Sequence, residues 1–126
     1  MDFENDIATK VLNICFDIHK QHGPGLFESV YEEIFCYELE KNGIDFTKQA
    51  PVDVIHDGIN MGLGFRADVI VEEAVLIELK SIKTLENIHF KQVHTYLKLT
   101  NLKLGLLINF NEHLLKNGIK RIINGY

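Results

Sequence analysis

Residues 65–80 have the sequence FRADVIVEEAVLIELK, in which two β-rich runs flank the turn segment 72–74. Because side chains two apart in a strand share a face, Glu78 and Lys80 lie side by side near the end of the second run. Asp68 lies in the first run among apolar neighbours, where a charge is costly unless it is paired or bound to a metal. A three-residue turn would put Asp68 opposite Glu78, whereas a two-residue turn would put them on opposite faces. A carboxylate pair therefore requires an odd-length turn or a bulge here.

Two carboxylates that converge on one point form a hard, oxygen-rich site suited to Mg²⁺ or Mn²⁺. A lysine beside them can orient or help deprotonate a metal-bound water for attack on a phosphodiester. The spacing E-x-K is common, however, so it leaves an alternative open. In that alternative Glu78 and Lys80 form a pair on an exposed strand face, and Asp68 occupies an edge position.

The patterns on either side of this segment predict a mixed α/β (α+β) fold. Apolar residues at helical spacing predict helices, short β-rich runs predict strands, and Asp57-Gly58 is a hairpin signal. In chain order, the predicted elements are helices 6–21 and 27–41, strands 44–49, 52–56, 60–65, 66–71 and 75–80, helix 87–100, and strands 104–110 and 119–123. The architecture that suits this order is a mixed central sheet with helices on both sides.

The length and composition of the chain indicate one folded domain, residues 1–126. Hydrophobic residues make up 46% and charged residues 25% of the chain, which is ordinary for a globular protein. No apolar run approaches the roughly 20 residues that cross a bilayer, and the acidic N-terminus lacks the features of a signal peptide, so we expect no membrane partner. Cys15 and Cys36 lie in apolar helical stretches, which predicts buried, reduced thiols and a cytoplasmic location.

Charge is unevenly distributed along the chain. The formal net charge of −5 argues against a nucleic-acid partner, but residues 81–126 contain seven Lys or Arg and two Asp or Glu. Such a basic segment can form a phosphate-binding face, for which Lys83, Lys91 and Lys98 are weak candidates. The alternative is a set of solvated lysines with no binding role.

Three motifs in this order resemble the PD-(D/E)XK nuclease superfamily, and more closely the small GxxExxY proteins within it. The motif residues are Gly25, Glu28 and Tyr31 of GxxExxY, the core residues Asp68, Glu78 and Lys80, and Gln92 and Tyr96 of the Q-x-x-x-Y element found in lambda-exonuclease-like members. The resemblance covers the chain from about Ile7 to Gly125, with one small departure, since Ala67 replaces the proline before Asp68. It implies a restriction-endonuclease-like core.

The resemblance also implies a role for each motif residue. The implied metal ligands are Asp68, Glu78 and the backbone carbonyl of Leu79. The implied catalytic residues are Lys80, which would activate water or contact phosphate, Glu28, which would complete or hydrogen-bond the metal shell, and Gln92 and Tyr96, which would reach the site from one helix face. The residues alone leave other roles open: Glu28 could be a first-turn glutamate favoured by the helix dipole, Gln92 a surface amide, and Tyr96, like Tyr31, a core aromatic.

The implied function is a metal-dependent nuclease that hydrolyses phosphodiester bonds, with Mg²⁺ or Mn²⁺ as cofactor and DNA favoured over RNA. A homodimer is a weaker expectation, because covering both strands of a duplex often takes two copies. The alternative is a catalytically silent nuclease-fold module that binds nucleic acid or a protein partner. The acidic net charge and the small size of the chain favour that alternative, and a fold alone never proves activity.

Overall fold

The computed structural model describes residues 1–125, and Tyr126, the last residue of the predicted domain, lies outside this range. The elements in chain order are α1 (Asp2–His22), α2 (Glu28–Lys41), β1 (Phe46–His56), β2 (Ile59–Val71), β3 (Val75–Lys80), α3 (Asn87–Thr100), β4 (Leu104–Asn109), a short 3₁₀ helix (Leu115–Gly118) and β5 (Ile119–Ile123). Within residues 1–125, no helix combines the length and the apolar character that crossing a membrane requires.

The five strands form one mixed sheet in the order β1-β2-β3-β4-β5. Of the strand pairs in this sheet, β3–β4 is parallel and the other three are antiparallel. A parallel pair needs a crossover, because the chain must return to the end at which the first strand began, and α3 provides it. The mixed sheet predicted from the sequence is confirmed.

Helices cover both faces of the sheet. α1 and α2 pack on one face over a core that includes Val69, Ile77 and Leu106. α3 packs on the other face over a smaller core that includes Leu76 and Leu107. Because alternate residues of β3 are covered on opposite faces, five of its six side chains are buried, and four of the six residues are apolar. The prediction of helices on both sides of the sheet is confirmed.

The first two strands are longer than the sequence predicted. The four segments predicted between residues 44 and 71 are two continuous strands, β1 and β2, joined at the predicted Asp57-Gly58 hairpin. The prediction of four separate strands was wrong. β1 continues through Pro51, although a proline suggests a break in a strand. β1 is the edge strand of the sheet, where a residue without an N–H group is tolerated.

Tyr31 fixes the loop between α1 and α2. Its ring is fully buried and stacks on Phe110 with ring centroids 4.4 Å apart. Its hydroxyl donates a hydrogen bond to the carbonyl of Gly23 over 2.5 Å and accepts one from the amide of Leu26 over 3.2 Å. Tyr31 is therefore a core aromatic whose hydroxyl anchors a surface loop, as the plainer alternative expected.

We expect Tyr31→Phe to lower the free energy of unfolding by about 1–2 kcal/mol, because two loop groups lose their partner while the stacked ring is kept. Urea unfolding followed by circular dichroism measures the change. Tyr37→Phe is the matched control, since Tyr37 lies on the same helix and is 64% exposed. Equal stability of the two variants would contradict the anchoring role of Tyr31.

Candidate active site

The register of β2 against β3 brings Asp68 and Glu78 to one face of the sheet. Val71 pairs with Val75 and Ile70 with Leu76, and continuing this register puts Asp68 opposite Glu78. The connecting turn, residues 72–74, has the three residues that a carboxylate pair requires. Leu76 packs against the α3 core, so Glu78, two residues further along β3, lies on the α3 side as well.

Asp68 lies at a fork in the sheet, which we define as the point where β2 loses contact with β3. The pairing of β2 with β3 covers residues 69–71, whereas residues 50–67 continue as a two-stranded hairpin arm of β1 and β2. Gln49, opposite Asp68 in the β1–β2 register, has the left-handed φ of 50°, which is unusual for a residue other than glycine. The fork therefore combines a strained backbone with a carboxylate at the end of a ladder.

The backbone of Leu79 faces Asp68 across the fork. The Leu79 N–H donates a hydrogen bond to Asp68 Oδ2 over 2.8 Å. In a strand, the N–H and the C=O of one residue point to the same neighbour, so the Leu79 carbonyl also points to the edge that β2 has left. The Leu79 side chain is buried on the opposite, α1–α2 face. An oxygen of the backbone is thus available beside the two carboxyl groups.

Glu78 is a buried acid with an acidic neighbour. Its side chain is 6% exposed. Burial and then the Asp68 carboxyl raise the pKa of Glu78 to about 9, while the positive charge of Lys80 acts in the opposite direction. Without a cation, Glu78 therefore keeps its proton at neutral pH. A divalent cation would compensate the charge of both carboxylates.

The donor set fits a magnesium-type ion better than zinc. Within residues 1–125, no three His, Cys, Asp or Glu side chains cluster as a metal cage. Mg²⁺ does not need such a cage, because it keeps several waters and is usually held by one or two carboxylates together with substrate phosphates. Zinc would need nitrogen or sulfur ligands, which this site lacks. Asp68, Glu78 and the Leu79 carbonyl therefore suit Mg²⁺ or Mn²⁺.

Lys80 and Glu28 lie at the end of β3. Lys80 is half-buried on the same face as Glu78, and its carbonyl accepts a hydrogen bond from the Phe110 amide over 2.8 Å. Glu28 Oε2 accepts a hydrogen bond from the amide of Ser81 over 3.3 Å. Glu28 therefore contacts the backbone directly after Lys80, whereas the resemblance implied a role in the metal shell.

Of the two motif residues on α3, the structure brings Tyr96 to the carboxylates. The Tyr96 ring stacks on Phe65 with centroids 3.7 Å apart. Burial, followed by the charges of Glu78 and Asp68, raises the pKa of the Tyr96 hydroxyl. Gln92, one turn earlier, is exposed, and no hydrogen bond joins its side chain to the described residues. Its position matches the surface-amide alternative.

The three candidate phosphate-binding lysines, Lys83, Lys91 and Lys98, are exposed. No ion pair within residues 1–125 involves any of them. Their ammonium groups are therefore free to contact an anion, which agrees both with a phosphate-binding face and with solvated side chains.

Two buried polar residues near the site were not predicted from the sequence. Glu32 accepts a hydrogen bond from Gln49 Nε2 over 2.7 Å, and burial, with a contribution from Asp68, raises its pKa. Its signal was its place four residues after Glu28, on the same helix face. Asn109 is fully buried, and its amide forms hydrogen bonds with both the N–H and the C=O of Ile82. Its signal was an amide inside the apolar run 104–110, where it needs a partner.

Comparison with known proteins identifies the family. A family model described as the PD-(D/E)XK nuclease superfamily matches residues 5–122, which is nearly the whole chain. No curated protein and no solved structure gives a significant match. The mixed five-stranded sheet with helices on both faces is the arrangement expected of a restriction-endonuclease-like fold. The chain therefore belongs to the PD-(D/E)XK nuclease superfamily.

Proposed function

We propose that this protein is a metal-dependent nuclease that hydrolyses phosphodiester bonds in DNA. The observation that carries the proposal is the pairing of half-buried Asp68 with buried Glu78 at the fork, beside Lys80. A buried acid next to a second acid destabilises the fold unless something binds to the pair. Binding Mg²⁺ or Mn²⁺ gives this arrangement a function that matches the family.

In this mechanism each residue of the site has a separate role. When bound, the metal supplies an activated water and neutralises charge on the phosphate. Asp68 and Glu78 would hold it, and the Leu79 carbonyl would offer a third oxygen. Lys80, on the face of Glu78, donates to a phosphate oxygen and stabilises the negative charge that develops there. Tyr96, whose pKa is raised, keeps a neutral hydroxyl and donates a hydrogen bond to the carboxylates or to the phosphate.

The GxxExxY motif supports assignment to that group of the superfamily, because its three residues act on one loop. Gly25 has the left-handed φ of 107°. Tyr31 hydrogen-bonds the loop through Gly23, and Glu28 binds the Ser81 amide. The motif thereby ties the loop before α2 to the backbone that follows Lys80, and we assign it the role of positioning Lys80 rather than of binding the metal.

Three further expectations belong to this proposal. DNA backbone contacts are assigned to Lys83, Lys91 and Lys98, whose ammonium groups are exposed. A homodimer remains a prediction. A cytoplasmic location is supported by Cys15 and Cys36, which are both buried and unpaired.

The test is whether the purified protein cleaves DNA in a metal-dependent way. We expect cleavage with Mg²⁺ or Mn²⁺, none in EDTA, and recovery when the metal is restored. Single-stranded and duplex DNA and RNA are assayed side by side by gel electrophoresis. Binding of DNA without cleavage under every metal condition would favour the catalytically silent module instead.

A further inference from the structure

Phe27 carries an aromatic ring that neither the core nor the helix explains. It is 81% exposed, the highest value among the large hydrophobic side chains of residues 1–125, whereas its neighbour Leu26 packs against the core. Phe27 is the N-cap residue of α2 and makes no capping hydrogen bond. Ser, Thr, Asp or Asn would stabilise the helix at this position. The phenyl group is therefore a poor choice for folding.

The loop that presents this ring is anchored on both sides of Leu26. The Leu26 amide donates to the Tyr31 hydroxyl over 3.2 Å, and the Leu26 carbonyl accepts from Ser81 Oγ over 2.6 Å. The Tyr31 hydroxyl in turn donates to Gly23. A ring on a backbone that is already ordered loses less entropy when it binds a partner than a ring on a free loop would.

The position of the ring links it to the candidate active site. Phe27, Glu28 and Ser81 line one cleft of about 550 Å³. Ser81 directly follows Lys80, the residue assigned to the phosphate. The cleft beside the ring therefore adjoins the backbone that directly follows Lys80.

An exposed phenyl ring can stack on an unpaired base but not on one that is stacked inside a duplex. Aromatic side chains stack on the faces of unpaired bases, and such stacking does not depend on the base, since every base has a π face. In an intact duplex those faces are covered by neighbouring base pairs. We propose that Phe27 stacks on an unpaired nucleobase beside the scissile phosphate, so that the substrate is single-stranded or locally opened DNA. This inference rests on the proposed function and names its substrate class.

Fluorescence tests the stacking directly, because the chain contains no tryptophan. In Phe27→Trp the new side chain is the sole indole, and its emission is titrated with a single-stranded oligonucleotide in EDTA and in Mg²⁺. We expect strong quenching by the single strand and little by a long blunt-ended duplex of the same sequence. Phe3→Trp is the matched control, since Phe3 is 60% exposed and lies near Glu72, in the turn at the opposite end of β3 from Lys80. Equal quenching of both indoles, or equal quenching by strand and duplex, would overturn the inference.

Binding and cleavage provide a second, independent readout. Phe27→Ala is expected to weaken binding of the single strand about tenfold and to leave duplex binding unchanged, whereas Phe27→Tyr, which keeps a flat ring, retains binding. Thermal unfolding checks that each variant folds. If Phe27→Ala leaves strand preference unchanged while DNA is still cleaved in a metal-dependent way, the stacking role falls and the nuclease assignment stands. If no variant and no wild-type protein cleaves DNA, the proposed function itself fails.

Discussion

Glu78→Gln is expected to lower metal-dependent cleavage of DNA at least about a thousandfold. The amide has nearly the shape of the carboxylate but carries no charge, so it cannot hold a divalent cation whose contribution to catalysis amounts to several kcal/mol. Asp68→Asn is expected to have an effect of the same size, because in the proposed site both acids would bind the same ion. Initial rates in saturating Mg²⁺, and metal uptake measured by titration calorimetry, report the two losses.

The free energy of unfolding of Glu78→Gln shows whether the variant loses activity because it misfolds. The folded-state pKa of Glu78, about 9, is above its ordinary value of 4.5, so the folded protein binds the proton more tightly than the unfolded chain does. In the metal-free protein this group therefore lowers the free energy of unfolding as pH rises from about 4.5 to about 9. Glu78→Gln removes that dependence and is expected to be more stable than wild type at pH 7 in EDTA. Mg²⁺ should raise the Tm of the wild type but not that of the variant.

Glu73→Gln is the matched control for both measurements. Glu73 is also a glutamate, but it is exposed in the turn that precedes β3, at the opposite end of that strand from the site. It should retain wild-type cleavage and the wild-type response of Tm to Mg²⁺. Full cleavage by Glu78→Gln, with Glu73→Gln also active, would refute the assigned metal site.

Asn109→Ala is expected to lower the free energy of unfolding by about 3–5 kcal/mol, because it removes three hydrogen bonds from buried or half-buried backbone. Asn109 Oδ1 accepts from the amides of Ile82 and Asn111 over 3.1 and 3.3 Å, and Nδ2 donates to the Ile82 carbonyl over 2.9 Å. Ile82 lies two residues after Lys80, so the same change releases the chain that holds the lysine. We expect cleavage to fall about a hundredfold, as is typical when a catalytic group is displaced by roughly 1 Å.

Chemical unfolding and initial rates well below the Tm measure the two effects of Asn109→Ala. Asn117→Ala is the control, because Asn117 is an exposed residue of the short 3₁₀ helix that follows β4. Asn109→Asp is a second variant that keeps both acceptor contacts of Oδ1 but cannot donate to Ile82. Should Asn109→Ala be as stable and as active as Asn117→Ala, Asn109 does not position this segment.

The sequence predicted the elements that local patterns determine. α3, β3 and β5 begin and end where the spacing of apolar residues indicated, and α2 begins one residue later. α1 begins at Asp2 rather than residue 6, because its first turn is largely exposed and carries no apolar pattern. The lengths of β1 and β2 depend on which strand is the edge of the sheet. Strand order is a long-range property, so Pro51 could not be interpreted from its neighbours alone.

The candidate site also has features that the sequence predicts and features that it does not. The shared face of Asp68 and Glu78 follows from the parity of a short turn, which can be counted in the sequence. The contacts of Glu28 and Gln92 depend on where a helix lies against the sheet, and no spacing within one helix reports that. Their roles in catalysis remain predictions. Glu32 went unnoticed because nothing in α2 shows that Gln49, on a strand distant in sequence, is its partner.

The three residues between β2 and β3 contribute no ligand, yet their number determines which way the ligands face. Adding or removing one residue in this turn would place the side chains of Asp68 and Glu78 on opposite faces of the sheet, so that they could no longer meet. The tip of the hairpin arm, near Asp57, is under no such constraint, because it is separated from the fork by some ten residues of two-stranded ladder. Length variation should therefore accumulate at that tip and be absent from residues 72–74, so that a segment without any reacting group is held as constant as the acids themselves.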